Sequence, residues 1–198
     1  MDYLRYVARC LAISKIGLKY SKDPYALENY EELELISKEM MNSLNANEEF
    51  VNYDRDFYPT PSSSVRVIVF NDDHELLMVK EKQDGGMAVP GGWCEVFDTL
   101  SETAIKEVKQ ETGLEIEIIR LVAIFQRERY KNYSTALSEQ VHYFHGRVVA
   151  GKLEPNHEII ETGFYPLHQK FNLSLKNTIK ELTIAIDVIE KNSEVFID

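Results

Sequence analysis

The sequence predicts an α/β fold preceded by a small helical hairpin, and three observations carry that prediction. Five stretches between positions 65 and 166 read as strands separated by turn residues. A helix with its own start and stop signals, at 99–113, is inserted among them. Apolar residues at helical spacing then recur in two stretches before these strands and in one after them.

Taken in order, residues 2–16 place Leu4, Val7, Ala8, Leu11 and Ala12 on one face, a helix expected to end near Gly17. A second helix is expected to begin with Asp23 as N-cap and Pro24 in its first turn. It should run to about Leu44, with Tyr30, Leu33, Ile36, Met40 and Leu44 inward. Two helices bury too little surface to stand alone, so the hairpin must pack on the following domain or on a second copy of itself. Residues 1–48 are therefore read as a helical extension. Residues 49–64, with Pro59, Pro61 and three serines, are read as a linker, and 65–198 as the main domain.

Strands are expected at 65–71, 75–82, 115–128 and 141–150, with a short one near 163–166. The helix between the second and third has a capping box in Thr99 and Glu102, an apolar stripe of Leu100, Ala104, Ile105 and Val108, and a stop at Gly113. A last helix is expected from about Ser174 to Lys191, with Leu175, Ile179, Leu182, Ile186 and Ile189 on one face.

Chemistry concentrates around the middle helix. Glu107 and Glu111 lie four residues apart and so neighbour each other on one face, at the edge of the apolar stripe. Lys106 and Lys109 fall on the far side. The Gly91-Gly92 loop before the helix offers backbone carbonyls, that of Gly91 in particular. Paired carboxylates beside carbonyl oxygens make a hard-ligand site suited to Mg²⁺ or Mn²⁺, which points to metal-dependent chemistry on phosphate.

The segment resembles the signature box of the Nudix hydrolases, G-x5-E-x7-R-E-U-x-E-E-x-G-U with U a bulky apolar residue. Here it runs from Gly92 through Asp98 to Lys106-Glu107-Val108-Lys109-Gln110-Glu111-Thr112-Gly113-Leu114, with every spacing kept. Asp98 stands for Glu and Lys106 for Arg, each keeping its charge. Gln110 replaces a carboxylate ligand with a neutral amide oxygen, which weakens one cation site. The N-terminal run from Ala12 to Tyr25 is similar to the helical extension of a bacterial Nudix subgroup that hydrolyses nucleoside diphosphates linked to another moiety, such as CDP-choline, ADP-ribose or UDP-X compounds.

The resemblance implies an α/β/α sandwich with a mixed sheet, a Mg²⁺ or Mn²⁺ cofactor, and a homodimer built through the N-terminal helices. Glu107, Glu111, Gln110 and the Gly91 carbonyl would be metal ligands. Glu158 or Glu161, in a loop before a short strand, would supply a further ligand or the base that activates water; a solvated acidic loop is the alternative. Arg66 matches the subgroup pattern for phosphate or ribose binding. Arg127 and Arg129 are candidates for the same task or simple surface charges. Trp93 would stack on a base, line the cleft or pack in the core.

Bulk properties set limits. The net charge of −11 argues against general nucleic-acid binding, so an anionic substrate must meet local cations. Two cysteines imply no disulfide framework, and the chain has neither a long apolar run nor a signal-peptide start, so a cytoplasmic enzyme is expected. Cys94 has no His or Asn arrangement to make it a nucleophile, and the histidines lack ligand spacing. The reading is thus a pyrophosphohydrolase. One rival is a Nudix-fold nucleotide-binding or regulatory module that does not cleave, favoured by Gln110. The other is an activity on RNA ends or a 3′ exonuclease.

Overall fold

The computed structural model describes residues 3–44, 59–133 and 135–198. The linker expected at 49–64 lies outside the described residues as far as position 58. The chain divides into two compact units, Met1–Ser62 with Lys131–Glu139, and Ser63–Tyr130 with Gln140–Asp198.

The first unit is a pair of helices, α1 (Tyr3–Tyr20) and α2 (Pro24–Ser43). Asp23 caps α2 by accepting from the Ala26 amide at 3.0 Å, as its position before Pro24 predicts. Gly17 does not end α1. The helix runs past it to Tyr20, and the glycine serves the close approach of the two helices instead, since a Cβ there would strike the Tyr30 ring at 2.4 Å. Val7, Ala8 and Met41 form the small core together with Ala136 from the 131–139 segment. The inward stripe expected of α2 is corrected: Ser37 and Met41 are buried, whereas Ile36 and Met40 are each 51% exposed. With Tyr3, Tyr6, Val7, Cys10, Leu33 and Leu44 they line an open groove of about 770 Å³.

The second unit holds two sheets. One has the order β1 (Ser62–Val69), β5 (Glu139–Gly151), β4 (Leu114–Gln126) and β7 (Phe196–Ile197). The other is β3 (Met87–Ala88), β2 (Leu76–Glu81) and β6 (Ile159–Tyr165). β4 pairs antiparallel with β5 and parallel with β7, so the first sheet is mixed. Alternation along β1 divides the core. Val65, Val67 and Val69 join Leu77, Ala104 and Val108 around α3 (Leu100–Thr112), while Ile68 joins Val122, Phe125, Tyr143 and Leu182 around α4 (Ile179–Glu190). This is the expected mixed α/β arrangement with helices in both apolar layers.

α3 matches its sequence reading at both ends, where the Thr99–Glu102 capping box forms and Gly113 is left-handed, φ 76°, but its stripe is narrower than expected: Ala104 and Val108 are buried while Ile105 is 39% exposed. The last helix does not match at its start. Residues 174–178 are a turn, α4 starts at Ile179, and its capping box is Thr178 with Glu181. Leu175 and Ile179, expected inward, are 64% and 71% exposed. Ser174 lies in the preceding turn instead, its Oγ accepting from the Lys176 amide at 3.2 Å and its hydroxyl donating to the Asp84 carboxylate at 2.8 Å. Among the described residues no helix is long and apolar enough to cross a membrane.

A Cβ at Gly113 would meet the Lys152 carbonyl at 2.5 Å, in a backbone conformation that L-residues avoid. Gly113→Ala is therefore expected to lower unfolding stability by at least about 1–2 kcal/mol. A shift of the urea midpoint at unchanged m-value would measure it.

Candidate active site

The box helix presents its carboxylates to the glycine loop, and two glycines make that approach possible. A Cβ at Gly91, φ 149°, would lie 2.1 Å from the Val65 carbonyl oxygen, and one at Gly92 would lie 2.5 Å from Glu107 Oε1. The loop is held by β1: Val67 donates to the Pro90 carbonyl and Val65 to that of Gly92, both at 2.9 Å. The amide of Gly91 faces α3 instead and donates to Glu111 Oε2 at 2.9 Å. Glu111 is thereby fixed while 2% exposed.

Two residues that the sequence reading missed complete this group. Glu81, at the end of β2 and 4% exposed, receives the Lys176 ammonium at 2.7 Å, and the same ammonium lies 3.6 Å from Glu111 Oε1. Lys176 sits in the 174–178 turn. Glu81 had a signal: it shares the strand face of the buried Leu77 and Val79, where a carboxylate is out of place. Lys176 had none, being one lysine in a stretch read as helix.

The electrostatics follow from burial. Removal from water pushes the Glu111 carboxyl up to about 7, against the Lys176 charge and the Gly91 amide, which favour ionisation; Glu81 and Glu107 add to the rise. Burial likewise raises Glu107, while Lys176, Arg66 and Lys106 pull it back and Glu158 pushes it further. The Cys94 thiol is raised, first by burial, which keeps it protonated and unreactive.

The remaining candidates are distributed unevenly. Glu158 is exposed but near enough to repel Glu107. Glu161 is exposed on β6 and accepts from the Tyr165 hydroxyl at 2.9 Å. Gln110 is exposed on α3. Arg66 lies under the site rather than in an open cleft: it is 3% exposed, and its guanidinium donates to the carbonyls of Val65 at 2.6 Å and Lys176 at 3.4 Å. Arg127 is also buried, donating to the Leu175 carbonyl. Trp93 is 49% exposed beside the glycine loop, so it is not a core residue. Lys106 keeps the charge pairing of the box, at 2.8 Å from Glu95 and 3.5 Å from Asp98.

Among the described residues no three Asp, Glu, His or Cys side chains are already gathered into a metal cage. The donor chemistry nevertheless suits a hard cation. Glu81 and Glu111 already share one positive charge, the Lys176 ammonium, and the buried carboxylates are short of more.

Comparison with known proteins adds to this picture. The NUDIX domain profile matches residues 60–184, and a profile described as a UDP-X-like, N-terminal oligomerisation domain matches residues 1–49. YjhB of Bacillus subtilis (strain 168), provisionally named an ADP-ribose pyrophosphatase, is 32% identical over 192 residues, which are 94% of this chain and 92% of that protein. The crystal structure of a UDP-X diphosphatase superposes with a TM-score of 0.64 at 29% identity, covering 100% of this chain and 98% of that one. That of an ADP-ribose pyrophosphatase from Streptococcus suis 89-1591 gives 0.63 at 30% identity, over 70% of this chain and all (100%) of that one.

Because the Glu111 carboxyl titrates higher in the fold than its ordinary value of 4.5, its contribution to stability is present below that value and is lost as pH rises through about 7. A divalent cation bound to the ionised carboxylate offsets that loss. The Tm gain produced by Mg²⁺ should therefore be larger at pH 8 than at pH 5.5 in a thermal-shift series. Equal gains at both pH values would place the cation away from Glu111.

Proposed function

Because this chain belongs to the Nudix family and is a pyrophosphohydrolase, we propose that it hydrolyses a nucleoside diphosphate linked to a second moiety, of the ADP-ribose or UDP-X kind. Mg²⁺ or Mn²⁺ would be the cofactor, and the products a nucleoside monophosphate and phosphorylated X. The observation that carries this reading is the buried Glu111 carboxylate, fixed by the glycine-loop amide and set with Glu81 about a single cationic group. The substrate class draws support from the whole-length likeness to YjhB and to the UDP-X diphosphatase, which takes in the N-terminal helices as well as the NUDIX domain.

Glu111, Glu107, Glu81 and the Gly91 carbonyl would hold the cation. When bound, it supplies Lewis acidity that offsets pyrophosphate charge and acidifies water. The exposed position of Gln110 weakens the case for a binder that cannot cleave. The carboxylate lost there has a counterpart in Glu81, which is buried with Glu111. Arg66, from below, adds positive potential without leaving its carbonyl partners. Glu158, in contact with solvent and electrostatically coupled to Glu107, is suited to take the proton of the attacking water and pass it on. Trp93 offers a half-exposed aromatic face at the edge of the loop. Glu161 and Arg127, held by Tyr165 and Leu175, serve the framework. The same proposal puts the enzyme in the cytoplasm.

Glu111→Gln tests the chemistry. The neutral isostere suits a site that already favours a protonated carboxyl, so the variant should fold with an equal or higher Tm. Turnover should fall by at least about 10²-fold, since outer-shell changes alone cost 10–100-fold. Phosphate release after phosphatase coupling, across ADP-ribose, UDP-sugars, CDP-choline and nucleoside triphosphates, would name the substrate. Near-normal turnover by Glu111→Gln would sink the assignment.

The reading extends to assembly. Tyr3, Tyr6, Ile36 and Met40 are all more than half exposed beside the apolar groove of α1 and α2, and a second copy of the same hairpin is proposed to cover them in a homodimer. Ile36→Glu should convert the protein to monomer in sedimentation velocity runs, with α-helical content preserved.

A further inference from the structure

Lys176 is held in a way that an incidental surface lysine is not. The turn carrying it is pinned on both sides. Asp84 accepts from the Ser174 hydroxyl and the Leu175 amide, each at 2.8 Å. Asn177 accepts from the Val89 amide at 3.0 Å and donates to the Tyr143 hydroxyl at 2.8 Å. Lys176 itself donates its amide to Ser174 Oγ at 3.2 Å and accepts from Arg66 Nε at 3.4 Å. Its backbone is therefore fixed, and only the side chain has freedom.

That side chain reaches inward. The ammonium lies 2.7 Å from Glu81 and 3.6 Å from Glu111, while the lysine side chain keeps 30% of its surface exposed, against 5% and 3% for the two glutamates. The carboxylates are walled in, but the cation between them retains a path to solvent. An ammonium is a compact point charge on a flexible stem, so it can leave by rotamer change alone.

Resting on the hydrolase reading above, we propose that Lys176 is a resident counter-cation that competes with the divalent metal for Glu81 and Glu111, so that metal entry is an exchange in which the ammonium swings out. Lys176 is thus a positioning residue: it holds two buried like charges together in the metal-free protein and lowers metal affinity by the free energy of its own ion pairs. The exchange breaks and makes no covalent bond, and the charge of the site rises by one when a dication replaces an ammonium that stays tethered nearby in solvent.

Two measurements test this. Mn²⁺ binding is read from the EPR signal of the free ion, counting only the binding that Glu111→Gln abolishes. Lys176→Gln, which removes the competing charge, should bind Mn²⁺ more tightly than the wild type by a coupling of ordinary size, roughly 5–150-fold. Lys176→Arg, which keeps a cation there, should stay near the wild-type value. In the unmodified protein, acetic anhydride labelling of Lys176, read by peptide mass spectrometry against Lys109, should rise severalfold when Mn²⁺ is added. Equal or weaker Mn²⁺ binding by Lys176→Gln, or labelling of Lys176 that ignores Mn²⁺, overturns the proposal and leaves the hydrolase reading standing. Absence of site-specific Mn²⁺ binding in every variant overturns both.

Discussion

Keeping a carboxylate almost out of water beside two others is the constraint to which the catalytic unit is fitted. Ionised Glu111 needs a donor and a cation, because isolated charge in a poorly solvated site is costly. The donor is the Gly91 amide, and it reaches Glu111 only because residue 91 has no side chain to meet the Val65 carbonyl. The cation is Lys176, delivered by a turn tied to Asp84 and Val89. Remove either support and ionising the carboxyl costs more, until another cation takes the place of the lost charge.

The same constraint explains why the surrounding elements end where they do. α3 must stop one turn beyond Glu107 so that Glu111 stays on its last turn, close to the loop, and Gly113 makes that stop. β2 ends at Glu81 with a register irregularity against β6, which turns the strand out of its ladder as it reaches the site. The pairing of Glu81 with Ile159 brings the 156–158 loop, and with it Glu158, to the same edge.

What the sequence disclosed was local. The cap and stop of α3, the Asp23-Pro24 start of α2 and the glycine loop each depend on residues within a few positions of one another, so they could be read directly. The missing parts depend on pairs far apart in the chain. Gly17 reads as a helix stop until Tyr30 is seen against it, and the stretch from Ser174 reads as helix until Asp84 is seen to hold Ser174 and Leu175 in a turn. Lys176 gains its meaning only from Glu81 and Glu111. Arg66 was visible as a charge on a strand, but its burial under the turn was not, since nothing near it in sequence announces the Lys176 carbonyl that it meets.

The division of the chain bears on how it is made. The N-terminal unit is completed by residues 131–139, which follow four strands and a helix of the other unit. Synthesised ahead of that segment, the two helices must wait for Ala136, on the order of ten seconds at roughly 5–20 residues per second. Throughout that interval the small core of Val7, Ala8 and Met41 lacks the residue that completes it. A nascent hairpin in that condition keeps its apolar residues open to water until the later segment arrives, so its final packing comes late in synthesis.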